Sequence, residues 1–174
     1  MKRLRGGEDA FGETEAVPTP PVIGEAAADG RHHGVHPSGK ALISWRDEFQ
    51  VGVRSIDDQH QHLVRLVNQI HNALQAECSP QDLEAAFGSL ARYTSSHFQH
   101  EEDLYKGRHY SGAEDHSREH GDLLHLLGAY QQSMGHNDES RIRSLLPRLH
   151  DWLLDHIKGH DMVLGAYLNS IGIS

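Results

Sequence analysis

A histidine and a carboxylate stand four residues apart in the run HFQHEED, at His97 and Glu101. At 100° per residue, positions four apart lie within about 40° of one another around a helix, so both side chains leave the same face. Leu83, Phe87, Leu90 and Thr94 extend that face backwards and Leu104 forwards in steps of three and four, the pattern of a core-facing seam. Polar groups set in an apolar seam are costly to bury unless something inside the fold accepts them. For one such pair a buried hydrogen bond suffices. Several converging groups of this kind call for a metal ion.

The pattern recurs along the chain. His60 heads the seam Leu63, Val67, Ile70, Leu74; His116 and His120 head Leu123, Leu127, Tyr130, Met134; and Ile142, Leu145, Leu149, Trp152 lead to His156. A lone core histidine is ordinarily just a hydrogen-bonded one. Five on four converging seams would need five separate hydrogen-bond solutions in an apolar core, so the metal reading leads. Asp161 follows five residues after His156, a step that rotates about 140° around a regular helix and should carry it off the seam. The next seam position is Gly159, which has no side chain. The expectation is a distortion at Gly159 that swings Asp161 inward.

The donor count narrows the metal. Five imidazoles and two carboxylates are too many for one ion, and four-coordinate structural zinc would leave donors spare. Two octahedral irons fit better. If both carboxylates and a hydroxide or oxide bridge the pair, three histidines complete one iron, and two leave the other with an open position for a small diatomic ligand.

Four helices must position these groups. Ser55 and Asp58 form a capping-box pair that predicts the start of the first; Ser79-Pro80 opens the second, which runs to about Arg108; Ser111 with Glu114 opens the third, which runs to Gly135; and the fourth follows the turn from Gly135 to Asp138. Short connections predict an all-α, up-down-up-down antiparallel four-helix bundle spanning residues 44–174, with helices crossing at about 20°. Trp45, Phe49, Val51 and Val53 read as an extended lead-in packed on it. Residues 1–43 hold four of the six prolines and read as a disordered arm, whose His32, His33 and His36 are a solvated polar tract.

A net charge of -9 argues against nucleic acid or an anionic membrane surface as main partner. No apolar run is long enough to cross a membrane, and the basic start is followed by no apolar segment, so no secretory signal is expected. The single cysteine, Cys78, excludes an internal disulfide framework and points to a reducing, cytoplasmic compartment. The 16 histidines are dispersed, several at helical spacing, which is unlike an expression tag.

The motifs VGVRSIDDQHQHL, HFQHEE, HSREH and WLLDHIKGHD, with the spacings His-x3-Glu, His-x3-His and His-x4-Asp, resemble those of the hemerythrin family from about Trp45 to Tyr167. The resemblance implies reversible dioxygen binding at two iron ions joined by an oxo or hydroxo bridge. It assigns His116, His120 and His156 to the saturated iron, His60 and His97 to the open one, and Glu101 and Asp161 as bridges. Reversibility needs a dry apolar pocket, for which Leu63, Phe98, Trp152 and Leu153 are the candidate lining. Two departures from the family pattern are Tyr105, where members often have Met, and Tyr110-Ser111 in place of a frequent Tyr-Pro; a phenol near the pocket would alter how long the oxygenated form survives. His62, His71, His100, His125, His150 and His160 match no ligand position and read as surface residues. An oxygen or redox sensor acting through a protein partner of the arm is the second reading. A di-iron oxidase or peroxidase is the third, disfavoured because no Glu in the chain has a His three residues later.

Overall fold

The four apolar seams become four helices in the computed structural model, which describes residues 40–133 and 139–174. Most of the expected arm, with His32, His33 and His36, and the expected turn after the third helix, with Met134, lie outside the described residues. The helices are α1 (Arg54–Gln75), α2 (Pro80–Tyr105), α3 (Ala113–Ser133) and α4 (Glu139–His156). They pack α1 on α2, α2 on α3 and α1 on α4 as an up-down-up-down bundle. Each turns its seam inward, with Ile70, Phe87, Leu127 and Leu145 all fully buried in the shared core.

Helix starts follow local chemistry, in one case as expected and in two not. Ser79 caps α2: its hydroxyl accepts from Asp82 N–H at 3.2 Å and donates to the Asp82 carboxylate at 2.7 Å, with Pro80 in the first turn. Helix α1 instead begins at Arg54 after an uncapped Val53, so the Ser55–Asp58 capping box does not form. Val53 is still extended, which places Ser55 inside the helix, where its hydroxyl meets His100 Nε2 of α2 at 3.0 Å. Asp57 does the tying, accepting the amides of Val51 at 2.7 Å and Gly52 at 3.2 Å. Helix α3 begins at Ala113, with His116 N–H donating to Gly112 O, one residue too late for Ser111 to cap it. Helix α2 stops at Tyr105, short of Arg108, because Gly107 takes a left-handed backbone, φ +71°, just past its end.

Past His156 the helix does not continue as α. Residues Ile157–Asp161 form a π turn, closed by Met162 N–H donating to Ile157 O five residues back, and α5 (Met162–Ser170) then resumes the regular pitch. The distortion expected at Gly159 is therefore present.

The lead-in lies against this far end of the bundle. It contains a short 3₁₀ turn at Asp47–Phe49 and buries Phe49, Val51 and Val53. Packing begins ahead of Trp45: Ile43 is buried, and Asn68 of α1 exchanges two hydrogen bonds with its backbone, at 3.0 and 2.8 Å. Gly165 of α5 permits the contact from the other side, since a Cβ there would overlap the Val51 carbonyl oxygen. Among the described residues no helix is long and apolar enough to cross a membrane.

Candidate metal centre

Five imidazoles and two carboxylates converge at one level of the bundle. His60 comes from α1, His97 and Glu101 from α2, His116 and His120 from α3, His156 from the end of α4 and Asp161 from the π turn; none is more than 3% exposed. The π turn is what admits Asp161. With five-residue hydrogen bonding, position 161 comes to lie over His156, where α-helical geometry would have turned it away.

The two carboxylates divide the imidazoles. Glu101 Oε1 lies 3.5 Å from His97 Nε2 and 3.7 Å from His60 Nε2, while its Oε2 lies 3.2 Å from His120 Nε2 and 3.5 Å from His116 Nε2. Asp161 repeats the division, with Oδ2 at 3.1 Å from His60 Nε2 and Oδ1 at 3.0 and 3.2 Å from His116 and His156 Nε2. One half thus holds two imidazoles and the other three, and each half receives one oxygen from each carboxylate. Donors set at right angles about 2.1 Å from one ion stand about 3.0 Å apart, close to several of these separations.

The outward partners of two imidazoles agree with a cation in the middle. His97 Nδ1 donates outward to Gln59 Oε1 at 2.9 Å and His120 Nδ1 to Glu102 Oε1 at 3.2 Å, which leaves the inward Nε2 of each as a bare lone pair. Those lone pairs face carboxylate oxygens, which are acceptors too. Both oxygens of Glu101, both of Asp161 and both ring nitrogens of His60 have no hydrogen-bond partner, although all are buried. Acceptors turned on acceptors in a core are repulsive unless a proton or a metal ion stands between them. The residues present therefore fit a pair of metal ions, and the donor atoms fall into two metal-competent groups that share Glu101 and Asp161.

Without metal, protons take up the same role. Burial works to lower His60 and His116, but contacts with Asp161 and Glu101 outweigh it and raise each to about 9. Burial holds His97 down at about 4. Burial opposes ionisation of both Glu101 and Asp161, and Asp161 repels Glu101, yet the surrounding imidazoles keep both well below the usual carboxylate range.

Aromatic rings wall the centre. Phe98 stacks on His120 with centroids 3.7 Å apart, Trp152 stacks on His156 at 4.3 Å, and Trp45 roofs His60 at 6.5 Å. Beside the metal-facing atoms lies a cavity of about 20 Å³, reached by His97, His156 and Asp161. Leu63, Phe98, Trp152 and Leu153 all line it, joined by Val67, Leu90 and Thr94 among others. By the same measure about 10–15 Å³ admits one water, so the space suits a ligand of one or two heavy atoms. Tyr105 is not part of this lining: its ring stands 6.0 Å from His116 and its hydroxyl pairs with Ser117 Oγ at 2.8 Å, so the phenol is spent on α3. Sequence reasoning missed Gln59 and Glu102, the acceptors behind His97 and His120. The available signal was that a metal-bound imidazole almost always donates its other N–H, which directs attention to polar neighbours flanking the seams. Of the extra histidines, His125 is exposed and His62, His71, His100, His150 and His160 are half-buried.

Residues 51–168 match the model of the hemerythrin HHE cation-binding domain. The chain is 29% identical to a bacteriohemerythrin of Stenotrophomonas maltophilia over 133 residues, 75% of this chain and 82% of the relative. It is 28% identical to a bacteriohemerythrin of Methylococcus capsulatus over 75% of this chain and 99% of that one. A myohemerythrin of Riftia pachyptila is 27% identical over 67% of this chain and 86% of its own length. Among solved structures, a wild-type hemerythrin superposes with a TM-score of 0.69 at 26% identity, covering 74% of this chain and 98% of that one. The match extends from the lead-in through the π turn into α5, so every element that carries a residue of the centre lies within it, and the chain belongs to the hemerythrin family.

Proposed function

We propose that this chain binds dioxygen reversibly at a non-haem di-iron centre, with His60 and His97 on one iron, His116, His120 and His156 on the other, and Glu101 and Asp161 across both. The observation that carries the reading is the division of the inward nitrogens by the two carboxylates into a set of two and a set of three. A diferrous pair, bound there, supplies the electrons for reversible reduction of dioxygen. The protein's part is to leave the two-histidine half one donor short and to place an apolar cavity against His97, His156 and Asp161. Leu63, Leu153 and Phe98 give that cavity apolar walls, while Gln59 and Glu102 hold two of the imidazoles in the ligating tautomer.

The test is reconstitution with ferrous iron under argon, an iron count, then mixing with oxygen and purging. Two irons per chain and recovery of the starting spectrum support the reading. Continuing oxygen consumption, or no iron retained, would refute it.

A further inference from the structure

His160 and Glu119 form a second cluster just outside the buried centre. His160 Nε2 and Glu119 Oε2 stand 3.9 Å apart, with the side chains 36% and 39% exposed. The His160 ring lies nearly parallel to that of His156, 18° between planes and 5.2 Å between centroids. Donor atoms of Glu119, His156 and His160 all fall within 4.8 Å of one another, and His156 Nδ1 is buried with no hydrogen-bond partner. The π turn creates this arrangement: it gives the inward position to Asp161 and leaves His160 at the rim, against α3.

At 3.9 Å the carboxylate and imidazole are too far apart to share a proton in a hydrogen bond. Two donors on one ion, each about 2.1 Å from it, stand about 3–3.5 Å apart, which half-exposed side chains reach with a small rotation. Nitrogen and carboxylate oxygen together select a first-row divalent cation over magnesium or calcium. Arg118, the residue before Glu119, is paired with Asp115 at 2.6 Å.

We propose that Glu119 and His160, backed by the His156 ring, form an outer site for a first-row divalent metal ion and that iron pauses there on its way to the buried centre. The seven inward residues are nearly closed to solvent, so an incoming ion has to be passed across their wall. His156 is the residue the outer cluster and the centre have in common. The inward step rests on the di-iron reading, whereas the outer site does not.

The experiment compares the iron-loaded full chain with its His160→Ala and Glu119→Gln variants, both at partly exposed positions. Bound zinc is counted after equilibrium dialysis against micromolar zinc, and ferrous uptake by the metal-free proteins is followed with time. The variants should hold one zinc fewer per chain and load iron at least fivefold more slowly, yet reach the wild-type iron content. Equal zinc counts in all three proteins, or equal uptake rates, would overturn the proposal. Wild-type protein that retains no iron would instead defeat the di-iron reading, and the zinc count would still decide the outer site.

Discussion

Replacing Gln59 with Leu isolates the contribution of an outward hydrogen bond to the centre. Gln59 Oε1 is the acceptor 2.9 Å from His97 Nδ1, reaching from α1 to α2 behind the ligand set. Burial keeps His97 neutral, held down at about 4, so its ring carries one hydrogen, and the position of that hydrogen decides whether Nε2 can ligate. In the variant the ring either keeps an orphaned buried N–H, at a cost of about 1–3 kcal/mol, or turns its hydrogen toward Glu101 and ceases to be a ligand. At about 1.4 kcal/mol per decade, the first alternative weakens metal binding by about 5- to 150-fold, in line with the ~10–100-fold typical of such outer partners. The loss should fall on the half with two histidines. Dialysis against graded chelator should therefore bring the variant to one iron per chain where the wild type still holds two. Gln59→Glu, which restores an acceptor, should recover most of the affinity. Metal-free melting temperatures should differ little, since Gln59 is only half-buried. If Gln59→Leu held two irons at the same chelator concentration as the wild type, the tautomer argument would fail.

Other perturbations test separate parts of the structure. Loading at pH 7.5 should release about two protons per chain, readable with an indicator dye, because His60 and His116 at about 9 are protonated in the metal-free protein and must give up their protons to ligate. For the same reason their contribution to metal-free stability is fully present below about pH 6.5 and is lost as pH rises through about 9, so urea midpoints of the metal-free protein should fall across that window while metal affinity climbs. His60→Ala should abolish oxygen binding and retain one iron and the wild-type far-ultraviolet circular dichroism; an unchanged oxygenated spectrum would remove His60 from the ligand set. Gly165→Ala should lower stability by about 1–3 kcal/mol in urea titration despite alanine's better helix propensity, because the new Cβ meets lead-in backbone and not a side chain that could rotate away. A neutral or stabilising effect there would mean that the lead-in yields freely.

How far the sequence discloses the centre depends on whether a residue obeys the helical period. His60, His97, Glu101, His116, His120 and His156 sit on seams of threes and fours that are visible as letters, and the structure gathers them at one level where the inward faces of the four helices meet. Helix starts were harder. Ser55 with Asp58 and Ser111 with Glu114 have the right letters for capping boxes, yet Asp57 ties the Val51 and Gly52 amides and His116 N–H bonds Gly112 O, so the first helical residues fall at Arg54 and Ala113. Gln59 and Glu102 were missed for a related reason: they flank the seams, where polar residues are the rule, and only the outward direction of a ring nitrogen distinguishes them from solvent-facing neighbours.

Asp161 tests the limit of such reading. A regular helix would have turned it outward, and Gly159 marks where the backbone could yield without showing that it does. The π turn costs regular α-helical hydrogen bonding over one turn, and of its residues Ile157 and Asp161 are buried. The compensation lies in the carboxylate itself, which reaches His60, His116 and His156 at 3.0–3.2 Å. If the turn is held open by what Asp161 binds, Asp161→Ala should let the segment relax toward α-helix, and amide exchange across Ile157–Asp161 should slow as four-residue hydrogen bonds return. Unchanged exchange would mean that the π turn is set by packing against the lead-in and that the inward position of Asp161 is its by-product.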